Sequence, residues 1–407
     1  MKWIIPLIFF VTTFGTYGQQ LVIQGKIADV ETSQGVSFAH IGICGKSIGA
    51  VANENGDFEF KIPAEVLNDT LCATAIGYST YKKAVSELIG LTKFDIPLQP
   101  QTSYLNDVVI VDEKITGRRV VSKAIARINK NYPKKPFVLD GYYRDYLRKN
   151  NEYVSFLEGA FVIKDRGFRH STDQTEIQIN QLRYSSNYVN YFTEFVKEFH
   201  EDSTKMLLHG VSPAFKGNEF SNLYFHNPVR NHTRSVPFVG IFDTFADRSY
   251  DFDIEYYTYV DDKEVYVINI APNKHFKFTH VSIEGKLYIR TDNFAIVKFS
   301  YAYFVTRRLE TKKWFELNVE YREFEEKMYL KYYSFMNYFK LLTIEEIVEM
   351  SVFREFFVNE IRTNVEDPLE TSLVINNELP LYQQNAPNDP KFWIDFNRTL
   401  LEQPLME

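Results

Sequence analysis

The chain has 407 residues, with 46 Lys plus Arg against 53 Asp plus Glu and a formal net charge of −7. That balance excludes the basic footprint of a nucleic-acid binder, and a hydrophobic content of 45% excludes a wholly disordered chain. Aromatic residues make up 16%, with 27 Tyr and 35 Phe. Such side chains suit pleated, half-buried surfaces and point to β-structure, including sheets that face lipid or flat ligands.

Residues 1–18 read MKWIIPLIFFVTTFGTYG. A lysine, an apolar run and the small residues Thr16 and Gly18 follow in the order of a secretory leader. The run is shorter than the roughly 20 residues that span a bilayer. Cleavage near Gly18 is expected, followed by residence in the periplasm or at the outer membrane. No cysteine follows the cleavage point to take a lipid anchor.

Residues 20–101 consist of short alternating runs broken by turns. Val36 to Ile43 alternates with a period of two, Asn53 to Asp57 is a turn signal around Asn55-Gly56, and Phe58 and Phe60 alternate with charged residues. About seven strands in such a span predict an antiparallel sandwich. The two cysteines, Cys44 and Cys72, both fall here. Two cysteines make no disulfide scaffold. In an oxidising compartment they could pair, and alternation points both outward.

The order of features in this stretch resembles the carboxypeptidase-regulatory-like (transthyretin-like) domain. They are Gly25 after the first strand, the Gly49 to Phe58 hairpin, the Leu71 strand, Gly77-Tyr78 and the closing Leu105-Asn106-Asp107-Val108-Val109. The resemblance implies a non-catalytic sandwich, common in envelope proteins, and no peptidase activity.

Residues 102–113 form a linker that follows the polar, proline-bearing Gln99-Pro100-Gln101. A β-rich region, 114–407, comes next. It opens with a helix over 116–131, in which Val121, Ala124, Ile125 and Ile128 share one face while Arg118, Arg119, Lys123, Arg127 and Lys130 make the other a solvated basic face. Asn131-Tyr132-Pro133 and Tyr143-Arg144-Asp145 resemble a segment of uncharacterised envelope proteins, which implies an address and no activity. Residues 191–200 have helical spacing, and 211–250 read as a long loop. From Tyr250 a meander of strands is expected over 254–260, 264–271, 281–290, 295–304, 314–324 and 328–339, with 344–361 leaning to strand. The stretch from Lys263 to Tyr303 resembles the curved antiparallel sheet of lipoprotein-carrier-like half-barrels, which implies room for acyl chains. The fold class expected is mainly β: a seven-stranded antiparallel sandwich, then a larger antiparallel, curved-sheet domain with a few covering helices.

No zinc-protease motif, nucleophile elbow, Walker loop or dinucleotide fingerprint occurs. No catalytic residue, metal ligand or cofactor is assigned. The pairs Asp251/Asp253 and Asp261/Asp262 read as solvated charge. Tyr142, Arg144, Tyr256, Tyr288 and Tyr301 are the candidates for a ligand-facing surface. The expectation is a non-enzymatic envelope binding or structural protein that holds a lipid, a glycan or a partner protein, with association with the outer membrane open. The alternatives are an outer-membrane β-barrel formed by the C-terminal region, and an enzyme whose site is assembled from distant residues.

Overall fold

The computed structural model describes residues 20–103, 115–149, 152–185, 206–209, 218–225, 227–232, 249–275, 280–307, 310–342, 347–363, 365 and 373–400. The leader, residues 104–113 of the linker and the run 191–200 lie outside them, as does most of the loop 211–250.

Seven strands build the N-terminal sandwich. They are β1 (Leu21–Asp29), β2 (His40–Ile43), β3 (Gly49–Val51), β4 (Asp57–Ile62), β5 (Thr70–Thr74), β6 (Tyr81–Ala84) and β7 (Ile96–Leu98). They pair as two sheets, β4-β1-β7 and β3-β2-β5-β6. The pairing of β7 with β1 is parallel, the others antiparallel. Alternation turns Ile23, Ile27, Ile41, Phe58, Phe60, Leu71 and Ala73 into one buried core. Gly56 has φ +82, and a Cβ there would meet the Ile27 carbonyl oxygen at 2.4 Å, so this turn requires glycine. Cys44, just past β2, is disulfide-bonded to Cys72 on the neighbouring β5, with the Cα atoms 5.3 Å apart.

The remaining strands form one twelve-stranded sheet. They are β8 (Thr102–Ser103), β9 (Phe137–Lys149), β10 (Glu152–Asp165), β11 (Glu176–Tyr184), β12 (Met206–His209), β13 (Tyr250–Val260), β14 (Lys263–Pro272), β15 (Val281–Arg290), β16 (Ile296–Arg307), β17 (Glu310–Phe324), β18 (Lys327–Leu342) and β19 (Ile347–Arg362). The order is β11-β10-β9-β19-β18-β17-β16-β15-β14-β13-β8, with β12 paired to β18. The last strand of the meander thus returns beside β9, and β8, at the exit from the sandwich, is already part of the sheet.

The sheet has two different faces. On the first lies the main core, covered by α1 (Gly117–Asn131) and α2 (Glu219–Phe225). Thr116 caps α1, its Oγ1 accepting from the Arg119 N–H at 3.3 Å. The helix buries Val120, Val121, Ala124 and Ile128 and exposes Arg118, Arg119, Arg127 and Lys130. Tyr132, past its end, donates to the Ile296 carbonyl at 2.6 Å. Beneath α2, Phe220 stacks on Phe161 with centroids 4.3 Å apart. The second face carries the sandwich and α3 (Pro390–Asp395). The candidate site lies on this side.

A cleft between the sandwich and the sheet

Cross-strand neighbours on the second face line up in continuous rows, because side chains of paired strands stand side by side. One row runs Tyr256, Val267, Tyr288, Lys298, Glu320, Tyr332, Phe357, Tyr142 and Ala160, each the register partner of the next. The adjacent row is polar and includes Lys286, Ser300, Asn318, Ser334, Glu355, Arg144, Glu158 and Arg183.

Three β-bulges set the first row. On β13, Phe252 and Ile254 face the main core, and strict alternation would send Tyr256 after them. The register shift between Ile254 and Tyr256 turns it to the second face instead. On β16 both Ile296 and Val297 pack in the core, which flips Lys298 outward. On β18, Leu330 and Tyr333 are core residues, and the extra residue between them, Lys331, points with Tyr332 toward the sandwich.

The sandwich is seated on this row at several points. Phe38 stacks on Tyr332 with centroids 5.7 Å apart, and Val51 packs with Tyr142, Tyr332, Phe357 and Trp393 of α3. After α3, Asn397 accepts from the Lys61 N–H at 2.8 Å and donates to the Lys61 carbonyl at 3.1 Å, in the manner of an added strand residue. From β17, Arg322 donates to the Ser47 carbonyl at 2.6 Å and lies 3.4 Å from the His40 ring nitrogen. At the far side the Gly77 N–H donates to the Tyr259 carbonyl at 3.0 Å, with Gly77 at φ +87, and the Thr80 N–H donates to Asp262 at 3.1 Å. The Asp261-Asp262 turn is therefore a fastening point as well as a charged turn.

Between these attachments the two units stand apart over a cleft of about 580 Å³. Its sandwich wall is Val36 to Phe38 and Ala75 to Tyr78. Its floor is Tyr256, Thr258, Tyr288, Lys298, Glu320 and Lys331. Phe38 has φ +56, a left-handed conformation rare for a bulky residue. Holding it there costs on the order of 1–3 kcal/mol, which the surrounding packing must offset. Tyr78 donates to Asp29 at 2.9 Å, and burial together with that carboxylate pushes its hydroxyl up to about 12. Lys298 Nζ lies 2.8 Å from Glu320 Oε1 and Lys331 Nζ 3.7 Å from Oε2. Burial alone would raise the Glu320 carboxyl, but the two ammonium groups outweigh it and hold the group below the usual range. Burial raises the Tyr288 hydroxyl, with Tyr256 beside it.

The five candidates from the sequence thus divide. Tyr256 and Tyr288 line the cleft. Tyr142 sits in the same row but is buried at the junction with Val51 and Trp393, and its hydroxyl donates to Glu158. Arg144 is buried in the polar row, paired with Glu355 and donating to the Leu400 carbonyl at 3.2 Å. Tyr301 faces the opposite side, in the main core against Phe299. These three are buried and do not line the cleft. Lys298, Glu320, Lys331, Phe38 and Tyr78 escaped the sequence reading. For Lys298, Glu320 and Lys331 the signal was the break in alternation at the bulges, while Phe38 and Tyr78 meet the sheet only through contacts distant in sequence. Among the described residues no group of three or more His, Cys, Asp or Glu is placed to hold a metal, and no helix is long and apolar enough to cross a membrane.

Comparison with known proteins adds the following. Residues 23–110 match the model of the CarboxypepD_reg-like domain. A search of the curated proteins finds no match. Among solved structures, a DUF1329 family protein from Desulfovibrio piger ATCC 29098 is similar at 9% identity and a TM-score of 0.26, over 64% of this chain and 100% of that one. Lipovitellin, in a structure titled for its lipid–protein interactions, is similar at 10% identity and a TM-score of 0.22, over 61% of this chain and 28% of that one. Likenesses at those scores carry no weight for fold or ligand.

Proposed function

We propose that the protein is an exported, non-enzymatic binding protein of the cell envelope that holds its ligand in the cleft between the sandwich and the large sheet. The observation that carries this reading is the cleft itself. Two separately packed units are fastened on either side of an open gap, and three bulges break the strand alternation to floor it with Tyr256, Lys298 and Lys331. Clefts at the junction of two units, with aromatic walls and a few convergent polar groups, are the usual form of a ligand site. The Cys44–Cys72 disulfide suits an oxidising compartment and so supports export.

Chemistry on the ligand is disfavoured by the state of Glu320. A carboxylate held ionised between two lysines is poorly matched to proton transfer near neutral pH. A lipid-embedded barrel is disfavoured by the apolar first face, which is packed in the main core beneath α1 and α2 instead of facing outward.

The test is a melting-temperature screen of the mature chain, purified without detergent, against oligosaccharides, fatty acids and peptidoglycan fragments. At least one class should raise the melting temperature, and Tyr256→Ala with Tyr288→Ala should abolish the shift. A shift that survives both replacements, or none from any class, contradicts the proposal.

A further inference from the structure

We infer that the cleft takes a ligand bearing a carboxylate, whose oxygens accept from the Lys331 ammonium while its body lies against the tyrosine rings. This rests on the cleft being the binding site and adds the class of compound it holds.

Lys331 is only 7% exposed, yet its nearest charged partner is Glu320 Oε2 at 3.7 Å, beyond hydrogen-bond length. The other oxygen of that carboxylate is already taken by Lys298 at 2.8 Å. Two ammonium groups thus share one carboxylate, and each carries three donors that require acceptors. Of the other acidic groups nearby, Glu54 of the sandwich acts on Tyr332, and Glu255, which is paired with Lys286 at 2.8 Å, acts on Tyr288. His40, on the sandwich, is buried, and its pKa is pushed well below the ordinary value, first by burial and then by Lys331 and Arg322. Arg322 is a further buried cation, and its two Nη groups face His40 and Ser47. Exposed Asp261 acts on Arg322 from the turn side.

The cleft floor thus sets two ammonium groups against one carboxylate, and an entering anion would offset that excess positive charge. The bulge places Lys331 where an entering ligand meets it, on the floor of the cleft and beside Tyr288, Tyr256 and Phe38. Rings in the same cleft as a charge-binding group suit a sugar ring or an acyl stem equally. The shared chemistry is therefore the carboxylate.

The experiment is calorimetric titration of the mature chain with trigalacturonate and with octanoate, each against its methyl ester. At least one acid should bind about tenfold or more tightly than its ester, as expected for a charge-assisted hydrogen bond. Lys331→Met, which keeps the stem's volume, should remove that preference. In the unmodified chain, raising salt from about 0.1 to 1 M should weaken the acid and leave the ester unchanged. The acid that binds identifies the source, acidic sugar or acyl chain. Equal binding of acid and ester, a preference that persists in Lys331→Met, or no binding of either acid overturns the inference. Ester binding that is lost on Tyr288→Ala would leave the cleft standing as the site while the carboxylate falls. Acid binding that survives Tyr256→Ala and Tyr288→Ala would instead remove the cleft.

Discussion

At the scale of single residues, the buried charges of the second face form a cross-strand ladder, not a set of isolated pairs. Arg183, Glu158, Arg144 and Glu355 are successive register partners with alternating sign. Glu355 is fully buried, paired with Arg144 and accepting from the Tyr332 hydroxyl at 3.0 Å. Removing one member of a buried pair strands the other charge, at about 3–5 kcal/mol, whereas apolar replacement of both is often neutral. Glu355→Gln should therefore lower the unfolding free energy by about 3 kcal/mol, and Arg144→Met with Glu355→Met should be less destabilising than that single change. Denaturant unfolding checks both, and a Glu355→Gln loss below about 1 kcal/mol would contradict the ladder's role. Arg144 is a candidate in the sequence within the Tyr143-Arg144-Asp145 segment, but its partner lies 211 positions away. Nothing local could show that it was already satisfied. Tyr301 misled for a simpler reason, since an alternating tyrosine looks the same whichever face it takes.

At the scale of elements, most strands were legible because half-buried β-structure writes a period of two into the sequence. The meander from Tyr250 follows its expected order, and 347–362, ambiguous by spacing, is strand. The strands β9, β10 and β11 were not read. Their burial on both faces, as in Tyr142-Tyr143 and Gly159 to Ile163, leaves little alternation to see. The bulges were visible only as phase slips, such as Met328 and Leu330 followed by Tyr333 and Phe335. The contact of β2 with β17 carries a pH prediction. His40 keeps its proton off in the folded state well below the ordinary 6.5, because burial and then the charges of Lys331 and Arg322 oppose it. The unfolded chain binds that proton first as pH falls. Stability from this site is complete above about 6.5 and lost progressively below it. The melting temperature should fall between about pH 7 and pH 5, and His40→Gln should flatten that fall. Identical profiles for the two proteins would remove His40 from the junction's energetics.

At the scale of the whole molecule, the sandwich is built onto the sheet at points far apart in sequence. Lys61 meets Asn397, 336 positions on, and Ser47 meets Arg322, 275 positions on. Such contacts leave no local trace, so the sequence could announce a sandwich and a sheet but not the gap between them. Attachment on both sides of the cleft means that its shape exists before any ligand arrives, which lowers the ordering cost of binding. The direct test is hydrogen exchange of the protein with and without the compound that most raises its melting temperature. Protection should be confined to the segments around Phe38, Tyr78, Tyr256, Tyr288 and Lys331, which meet only across the cleft. Protection centred on α1, α2 and the main core, with those segments unchanged, would place the ligand on the opposite face of the sheet and contradict the account.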